Sequence, residues 1–176
     1  MKIQTKRLDI FNLDAKRWKE FYLCRDQIEL FFGLEHSPKL FETQFEREYI
    51  QLLPNLIRMA ERNDRYFDWY TQWIIVEREK KMIVGCFQFL GPPRRKGVFF
   101  AFFGALDADI AKECYMEEAL RALLAWLFTQ KEIDYVECET QRFAFEEIRI
   151  LEKIGFSRIE QGKKGIPWMY RRRSFF

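Results

Sequence analysis

An apolar segment without charged residues, followed directly by an amphipathic segment, limits the folds that this chain can adopt. Residues Val98 to Leu106 contain no Lys, Arg, Asp or Glu, which is typical of a strand buried on both faces. From Glu113 to Thr129, apolar residues recur at the spacing of one helix face: Met116, Ala119, Leu120, Leu123, Leu124 and Leu127. The sequence therefore predicts a central strand, a short acidic loop and a long helix.

The amino-terminal third of the sequence predicts one strand and then helices. The expected elements are a strand over Met1–Leu13, a helix that Asp14 caps and that is broken or doubled before it ends at Gly33, and a helix from Phe41 to about Asn63 with a kink at Pro54. His36 lies in the loop between these helices, and we interpret it as a surface residue rather than a catalyst.

The rest of the sequence predicts hairpins followed by a strand-helix-strand crossover. The expected elements are strands over Trp69–Glu77 and Met82–Leu90, a third strand that opens at Gly97, a strand over Ile133–Glu139, a short helix over Phe145–Ile154 stopped by Gly155, and two closing strands with a turn near Gly162–Gly165. These elements predict a mixed α/β fold in which helices flank a central mixed sheet. Ile133–Glu139 should lie beside Val98–Leu106 in that sheet.

Composition narrows the class of protein. At 176 residues, the chain is expected to form one domain over residues 1–176. Its longest apolar run, Val98–Leu106, is far shorter than the roughly 20 residues that cross a bilayer, and its first residues lack an apolar secretory core. We therefore expect no membrane association, a cytoplasmic location and reduced thiols at the four scattered cysteines.

The charge of the chain gives little support for a polyanionic partner. The formal net charge is +3, and two basic clusters, Arg94–Lys96 and Arg171–Arg173, come without a recognition motif. We interpret them as solvated turn and tail residues, with nucleic-acid binding as the less favoured alternative. Acidic residues near the loop are interpreted as stabilising a helix start, so no metal site is expected.

The central unit aligns without a gap with a pair of known motifs. Phe99–Ala105 aligns with V-E-I-G-Y-G-I, and Ala111–Ala119 aligns with R-G-K-G-Y-A-T-E-A. The flanking segments agree as well: Trp73-Ile-Ile-Val, Ile83-Val-Gly, Gly91-Pro-Pro, Leu151-Glu-Lys-Ile-Gly-Phe156 and a closing strand at Trp168. Over nearly its whole length the chain resembles the GNAT acetyltransferase superfamily, in the branch similar to the ribosomal-protein alanine N-acetyltransferases.

The resemblance implies a GNAT-like acyl-CoA N-acyltransferase fold and direct transfer of an acetyl group from acetyl-CoA to an amine, on a small molecule or a protein. In this family, the strand offers backbone groups to the pantetheine arm, while the loop and the helix start hold the pyrophosphate. The residues implied in cofactor binding are Gly104, Ala105, Leu106, Ala111, Lys112, Cys114, Tyr115 and Met116.

Several of the implied cofactor positions differ from the family motif. Ala111 replaces an Arg or Gln, Lys112 and Cys114 replace glycines, and Met116 replaces a small residue. Because Ala, Lys and Glu are good helix formers, these changes predict that the segment from Asp107 to Cys114 is wholly or partly helical. They also predict that acetyl-CoA binds weakly or not at all.

The catalytic positions differ too. Phe100 occupies the place of an acidic general base in many relatives, while Ala144 and Glu147 occupy a downstream Asn-x-x-Ser motif. Glu147 is therefore the one candidate for a catalytic residue. Two functions stay open: an N-acetyltransferase, and a GNAT-fold binding or regulatory protein that has lost its affinity for acetyl-CoA.

Overall fold

The sheet has eight strands in the order β1-β2-β3-β4-β5-β6-β8-β7. The computed structural model describes residues 2–37, 44–103, 114–160 and 165–172. The strands are β1 (Lys2–Gln4), β2 (Leu8–Asn12), β3 (Gln72–Glu77), β4 (Met82–Phe89), β5 (Gly97–Phe103), β6 (Tyr135–Thr140), β7 (Ser157–Arg158) and β8 (Ile166–Arg171). The helices are α1 (Ala15–Leu23), α2 (Arg25–Phe32), α3 (Gln44–Glu61), a 3-10 helix (Asp64–Trp69), α4 (Tyr115–Leu127) and α5 (Phe145–Ile154).

One strand pair runs parallel in this otherwise antiparallel sheet. Every pair of described strands is antiparallel except β5 and β6, in which Gly97 lies opposite Tyr135 and Phe100 opposite Cys138. A parallel pair needs a long crossover, and α4 lies in that connection. The predicted mixed α/β fold is confirmed, and so is the predicted position of the Ile133–Glu139 strand, observed as β6, beside the central strand.

Helices cover both faces of the sheet. The predicted apolar stripe of α4 is buried in full, and it shares one buried cluster with Leu151 and Ile154 of α5. On the opposite face, a second cluster contains Trp18 of α1, Ile28 of α2 and Leu53 of α3. Among the described residues, no helix combines the length and the apolar character that a membrane crossing requires.

The predicted helix boundaries are largely confirmed. Asp14 caps α1, since its side chain accepts a hydrogen bond from the backbone N–H of Arg17 at 2.8 Å. Helix α2 ends at Gly33, whose φ of 64° is left-handed and suits glycine. Helix α3 continues through Pro54, and its expected first residues, 41–43, lie outside the described part of the chain.

The strand expected over Met1–Leu13 is instead a hairpin of β1 and β2. The chain turns at Thr5, whose side-chain oxygen accepts hydrogen bonds from the backbone N–H groups of Arg7 and Leu8. Such side-chain acceptors compete with an extended backbone. A single Thr among charged residues gave too weak a signal for this turn to be predicted.

The strand expected from Trp69 begins only at Gln72. Trp69 ends the 3-10 helix, and its ring packs 5.0 Å from Phe89 and 5.8 Å from Trp126. Aromatic packing outweighs strand propensity at this position.

The expectation that β5 is buried on both faces is wrong at Phe99. Val98 and Phe100 are buried, whereas Phe99 is 36% exposed. Successive side chains of a strand point to opposite faces, so the face that carries Phe99 is partly open.

Candidate functional site

A gap opens between the carboxyl ends of the two parallel strands. Strands β5 and β6 pair at four positions, the last of which joins Phe100 to Cys138. Beyond it, β5 continues along β4 as far as Phe103, and β6 continues along β8 as far as Thr140. Within the described residues these two strands share no further pair, so backbone groups of both strands face the gap.

The start of α4 follows β5 and has an unusual backbone. Cys114, the residue before the helix, has a φ of 58° and a ψ of 23°, a left-handed conformation in which a Cβ atom is sterically penalised. The family motif carries glycine at this position. The chain therefore keeps a backbone that favours glycine, although the residue is an exposed Cys.

The predicted helical loop and most of the predicted cofactor residues lie outside the described residues. Cys114 is not helical, and the remainder of the segment from Asp107 stays a prediction. The same holds for the contacts of five residues: Gly104, Ala105, Leu106, Ala111 and Lys112. Three of the predicted residues are described, and they are adjacent in the chain: Cys114, Tyr115 and Met116.

Met116 points into the core rather than toward the loop. The side chain is 2% exposed, and a Cβ atom added to Gly85 of β4 would lie 2.5 Å from Met116 Sδ. Gly85 therefore provides the space that a residue larger than the motif's small one needs. Tyr115 is also buried, with the guanidinium of Arg7 4.5 Å from its ring centroid.

Backbone N–H groups are what these two residues can offer to a ligand. In the first turn of a helix, N–H groups have no intrahelical acceptor and carry the positive end of the helix dipole. A left-handed residue directly before such a turn helps to form an anion-binding concavity. Tyr115 and Met116 occupy the first turn of α4, with Cys114 before them.

Glu117, an acid in this first turn, is neutralised by two cations. It accepts hydrogen bonds from Lys153 Nζ at 2.6 Å and from Arg121 Nη2 at 3.0 Å. The bond from Lys153 is the main reason that the pKa of Glu117 is lowered, against the opposing effect of burial. Glu117 therefore adds less negative charge at the helix start than the sequence suggests.

Glu118 anchors the same turn to the β1–β2 hairpin. It accepts hydrogen bonds from Thr5 Oγ at 2.5 Å, from the backbone N–H of Arg7 at 3.0 Å and from Arg7 Nε at 2.7 Å. Burial works to raise the pKa of Glu118, but the hydrogen bonds from Thr5 and Arg7 outweigh it and lower the pKa. The carboxylate thus fixes where α4 begins.

The two predicted catalytic positions, Phe100 and Glu147, differ in burial and in chemistry. Phe100 is fully buried and packs edge-on against Phe156, with 6.5 Å between the ring centroids, so no titratable group stands there. Glu147 is half-buried in the first turn of α5. Within the described residues no side chain pairs with it, and residues 141–146 lie between it and the end of β6.

A buried polar row beside the gap was missed from the sequence. Gln72 lies opposite Gln88, and Gln88 lies opposite Ala101, one residue beyond the last β5–β6 pair. Tyr22 of α1 donates a hydrogen bond to Gln72 Oε1 at 2.7 Å, and Gln72 Nε2 donates to the carbonyl of Phe87 at 2.7 Å. The available signal was the presence of glutamines in otherwise apolar strands.

His36 belongs to a second polar cluster, at the end of α2. Its Nδ1 lies 3.1 Å from Glu29 Oε2 and 3.6 Å from Asp26 Oδ1. Ser37 donates its backbone N–H and its hydroxyl to Glu29, and Arg25 Nε lies 3.4 Å from the same carboxylate. Protein groups therefore already contact both oxygens of the buried Glu29, and we interpret the cluster as fixing the loop after α2.

Comparisons with known proteins show the family and the fold of this chain. The family model described as an acetyltransferase (GNAT) domain matches residues 12–157. No curated protein matches the sequence significantly.

Solved structures share the fold at low sequence identity. A structure described as a putative ribosomal-protein-serine acetyltransferase from Vibrio cholerae superposes with a TM-score of 0.65 at 16% identity, covering 98% of each chain. The ribosomal-protein-S5-alanine acetyltransferase from Vibrio fischeri gives 0.60 at 14% identity, covering 97% of this chain and 96% of its own.

A third structure, described as RimL, a ribosomal L7/L12 alpha-N-protein acetyltransferase, was solved with coenzyme A. It gives a TM-score of 0.63 at 13% identity and covers 98% of this chain and 97% of its own. At such identities the structural likeness supports the fold alone. The family model, however, spans most of the sequence, and the chain therefore belongs to the family of GNAT acetyltransferase domains.

Proposed function

We propose that this protein is an N-acetyltransferase that moves an acetyl group from acetyl-CoA directly to an amine. The observation that carries the proposal is the separation of β5 and β6 after Phe100 and Cys138. An extended ligand with amide groups, such as pantetheine, can pair with a strand edge that has no neighbouring strand. Helix α4 is the next described element after β5 in the chain, and at its start a pyrophosphate would meet the helix dipole.

The cofactor site that we propose consists mainly of backbone groups. Gly104, Ala105 and Leu106 would hold the pantetheine arm, and the segment from Ala111 to Met116 would hold the pyrophosphate. From the sequence, Cys114 and Met116 count against acetyl-CoA binding. The left-handed backbone of Cys114 and the inward position of the Met116 side chain instead favour it. The ion pairs of Glu117 with Lys153 and Arg121 reduce the repulsion of an anion.

In the reaction, the amine nitrogen attacks the thioester carbonyl, a C–N bond forms, the C–S bond breaks and the CoA thiolate leaves. The amine must lose a proton before or during this step. Phe100 cannot accept it, so we assign this role to Glu147. Where no base acts, only the deprotonated amine reacts, and the rate rises with pH.

The acceptor that we propose is an amine of a protein or of a small molecule. The similar structures described as ribosomal-protein acetyltransferases make a protein amine the first acceptor to test. We expect the protein to act in the cytoplasm.

A binding or regulatory protein without acetyl-CoA affinity is the second candidate. The specific observation in its favour is the fully buried Phe100 at the position of the family's general base. The Cys114 side chain also favours this alternative, because a glycine at that position would let an anion approach more closely.

Acetyl transfer to a pool of peptides with free amino termini, read by mass spectrometry together with CoA release, tests the proposal. We expect acetylated peptides, and we expect Glu147→Gln to lower kcat by about 10²-fold near neutral pH. Glu146→Gln is the matched control, since Glu146 is the exposed neighbour in the same turn. Equal rates for both variants would remove Glu147 from the mechanism, and no transfer to any amine would favour the binding protein.

A further inference from the structure

Two basic clusters that are far apart in the sequence meet at the end of the sheet opposite the gap. Gly97, which follows Arg94–Lys96, lies opposite Tyr135, and Tyr135 lies opposite Arg171. Neighbouring strands are about 4.8 Å apart, so the backbones of Gly97 and Arg171 are about 10 Å apart. We call this surface the basic end, and it comprises Arg94, Arg95, Lys96, Lys131, Arg171 and Arg172.

The basic end concentrates the positive charge of the protein. Its six cations are accompanied by two acids, Glu132 and Asp134, which gives a local net charge of +4, against +3 for the whole chain. The remainder of the chain is therefore almost neutral. A concentrated charge of one sign attracts a polyanion, even where the net charge of the chain is small.

Two of these cations serve the fold, and the other four are exposed, with the Arg171 guanidinium 5.7 Å from the centroid of the Tyr135 ring. Lys96 Nζ pairs with Asp134 at 3.1 Å, and Arg172 Nη2 donates hydrogen bonds to the carbonyls of Gln130 and Ile133 at 2.6 Å each. Arg94, Arg95, Lys131 and Arg171 are exposed. No acid in the described part of the chain forms an ion pair with any of these four.

The turn Arg94–Gly97, which leads into β5, holds two of these cations on an unfavourable backbone conformation. Arg94 and Gly97 exchange backbone hydrogen bonds of 2.8 and 2.9 Å, and the two residues between them have φ values of 49° and 66°. Positive φ at both central residues defines a type I′ turn, which prefers Asn-Gly. Arg95 and Lys96 take these positions instead. Strained backbone of this kind points to a function for the side chains that it carries.

We propose that the basic end docks the phosphate backbone of a nucleic acid. Guanidinium groups bind phosphate oxygens bidentately, and three of the four cations that do not serve the fold are arginines. Contacts of this kind position a protein on a nucleic acid without reading its sequence. The basic end and the gap lie at opposite ends of the paired segment Gly97–Phe100, about 10 Å apart at 3.3 Å per residue, so both can be occupied together.

The test uses a variant that removes charge and relieves strain in one step. Arg95→Asn combined with Lys96→Gly gives the turn its preferred residues and removes two cations. Fluorescence anisotropy with a labelled single-stranded RNA of about 20 nucleotides should show binding at least tenfold weaker than in the unmodified protein. The slope of log K against log salt should become shallower by roughly 0.7, the contribution of Arg95, since Lys96 is paired with Asp134. The melting temperature should not fall.

A matched variant and two further probes make the outcome decisive. Arg58→Gln with Arg62→Gln removes two exposed cations from the α3 side and should change the affinity less than twofold. DNA of the same sequence reports whether the phosphate backbone alone suffices. The proposal is overturned if neither nucleic acid binds at low salt, if the two variants weaken binding equally, or if polyglutamate of similar length binds more tightly, which would indicate an acidic protein partner.

Discussion

The two ends of the parallel strand pair differ in how the strands are held. At the amino ends, Gly97 lies beneath the ring of Tyr135, and the Lys96 carbonyl accepts hydrogen bonds from the N–H groups of Asp134 and Tyr135. At the carboxyl ends, the strands separate after Phe100 and each follows a different neighbour. A tightly joined end can therefore support an open end on the same two strands. The open end is where we place the cofactor.

The largest expected effect is at Met116, whose buried side chain packs the start of α4 against Gly85 of β4. Met116→Ala should lower the free energy of unfolding by about 3 kcal/mol, because it removes a buried side chain and leaves a cavity. Gly85→Ala should cost about 1 to 3 kcal/mol through overpacking against Met116 Sδ. Urea denaturation of both variants and of the double variant should show that the double costs less than the sum. Additive costs would mean that Gly85 and Met116 are not a matched pair.

The packing between the amino ends of β5 and β6 can be disrupted by a substitution at Gly97. A Cβ atom there would overlap the Tyr135 ring, so Gly97→Ala should cost about 2 to 3 kcal/mol. Thermal denaturation in a Tyr135→Ala background should show most of this cost removed. A cost that persists in that background would assign the need for glycine to the backbone rather than to the ring.

A smaller effect is expected at Glu118, with a clear pH dependence. Glu118→Gln should cost about 2 kcal/mol near neutral pH, because charged hydrogen bonds contribute about 1.5 to 3 kcal/mol. The pKa of Glu118 is lowered in the folded protein. Its contribution is therefore complete above the ordinary Glu pKa and is lost as the pH falls through the lowered value.

Urea denaturation at about pH 7 and about pH 3 checks this sign. The unmodified protein and the Glu118→Gln variant should differ clearly at the higher pH and much less at the lower one. Glu146→Gln, at an exposed position, is the control and should show no such change. A difference that grows in acid would contradict the role of the ionised carboxylate.

The smallest effect should be a gain. Cys114→Gly should raise the free energy of unfolding by about 1 kcal/mol, because glycine adopts the left-handed backbone without a steric penalty. Cys24 is also exposed, but its φ is −146°. Cys24→Gly is therefore the matched control and should destabilise slightly. Thermal denaturation that ranks the two variants in the opposite order would show that the Cys114 side chain contributes more than its backbone costs.

The order of the elements could be predicted because it depends on periodicity and caps. The α4 stripe, the Asp14 cap and the Gly155 stop were all visible in the sequence, and so was the pairing of the central strand with Ile133–Glu139. The hairpin at Thr5 was not, because one side-chain acceptor decides it. The start of the strand after Trp69 depends on tertiary ring packing that local propensity does not contain.

The candidate site was harder to predict because residue identity and backbone conformation disagree there. From the sequence, Cys114 and Met116 suggest a blocked phosphate loop. In the structure, Cys114 takes the conformation of a glycine and Met116 fills the space above Gly85. Likewise, the charge on Glu117 and Glu118 is visible in the sequence, but their partners Lys153 and Arg7 are brought to them only by the fold.

The melting temperature of the protein with and without acetyl-CoA tests most directly whether the open end binds the cofactor. A ligand at about a hundred times its dissociation constant stabilises the folded state by about 2.7 kcal/mol, which for a domain of this size raises the melting temperature by about 5 to 10 °C. We predict a rise of this kind at saturating acetyl-CoA. No rise at about millimolar acetyl-CoA, in a protein that is otherwise folded, would contradict the acetyltransferase assignment and leave the binding-protein alternative.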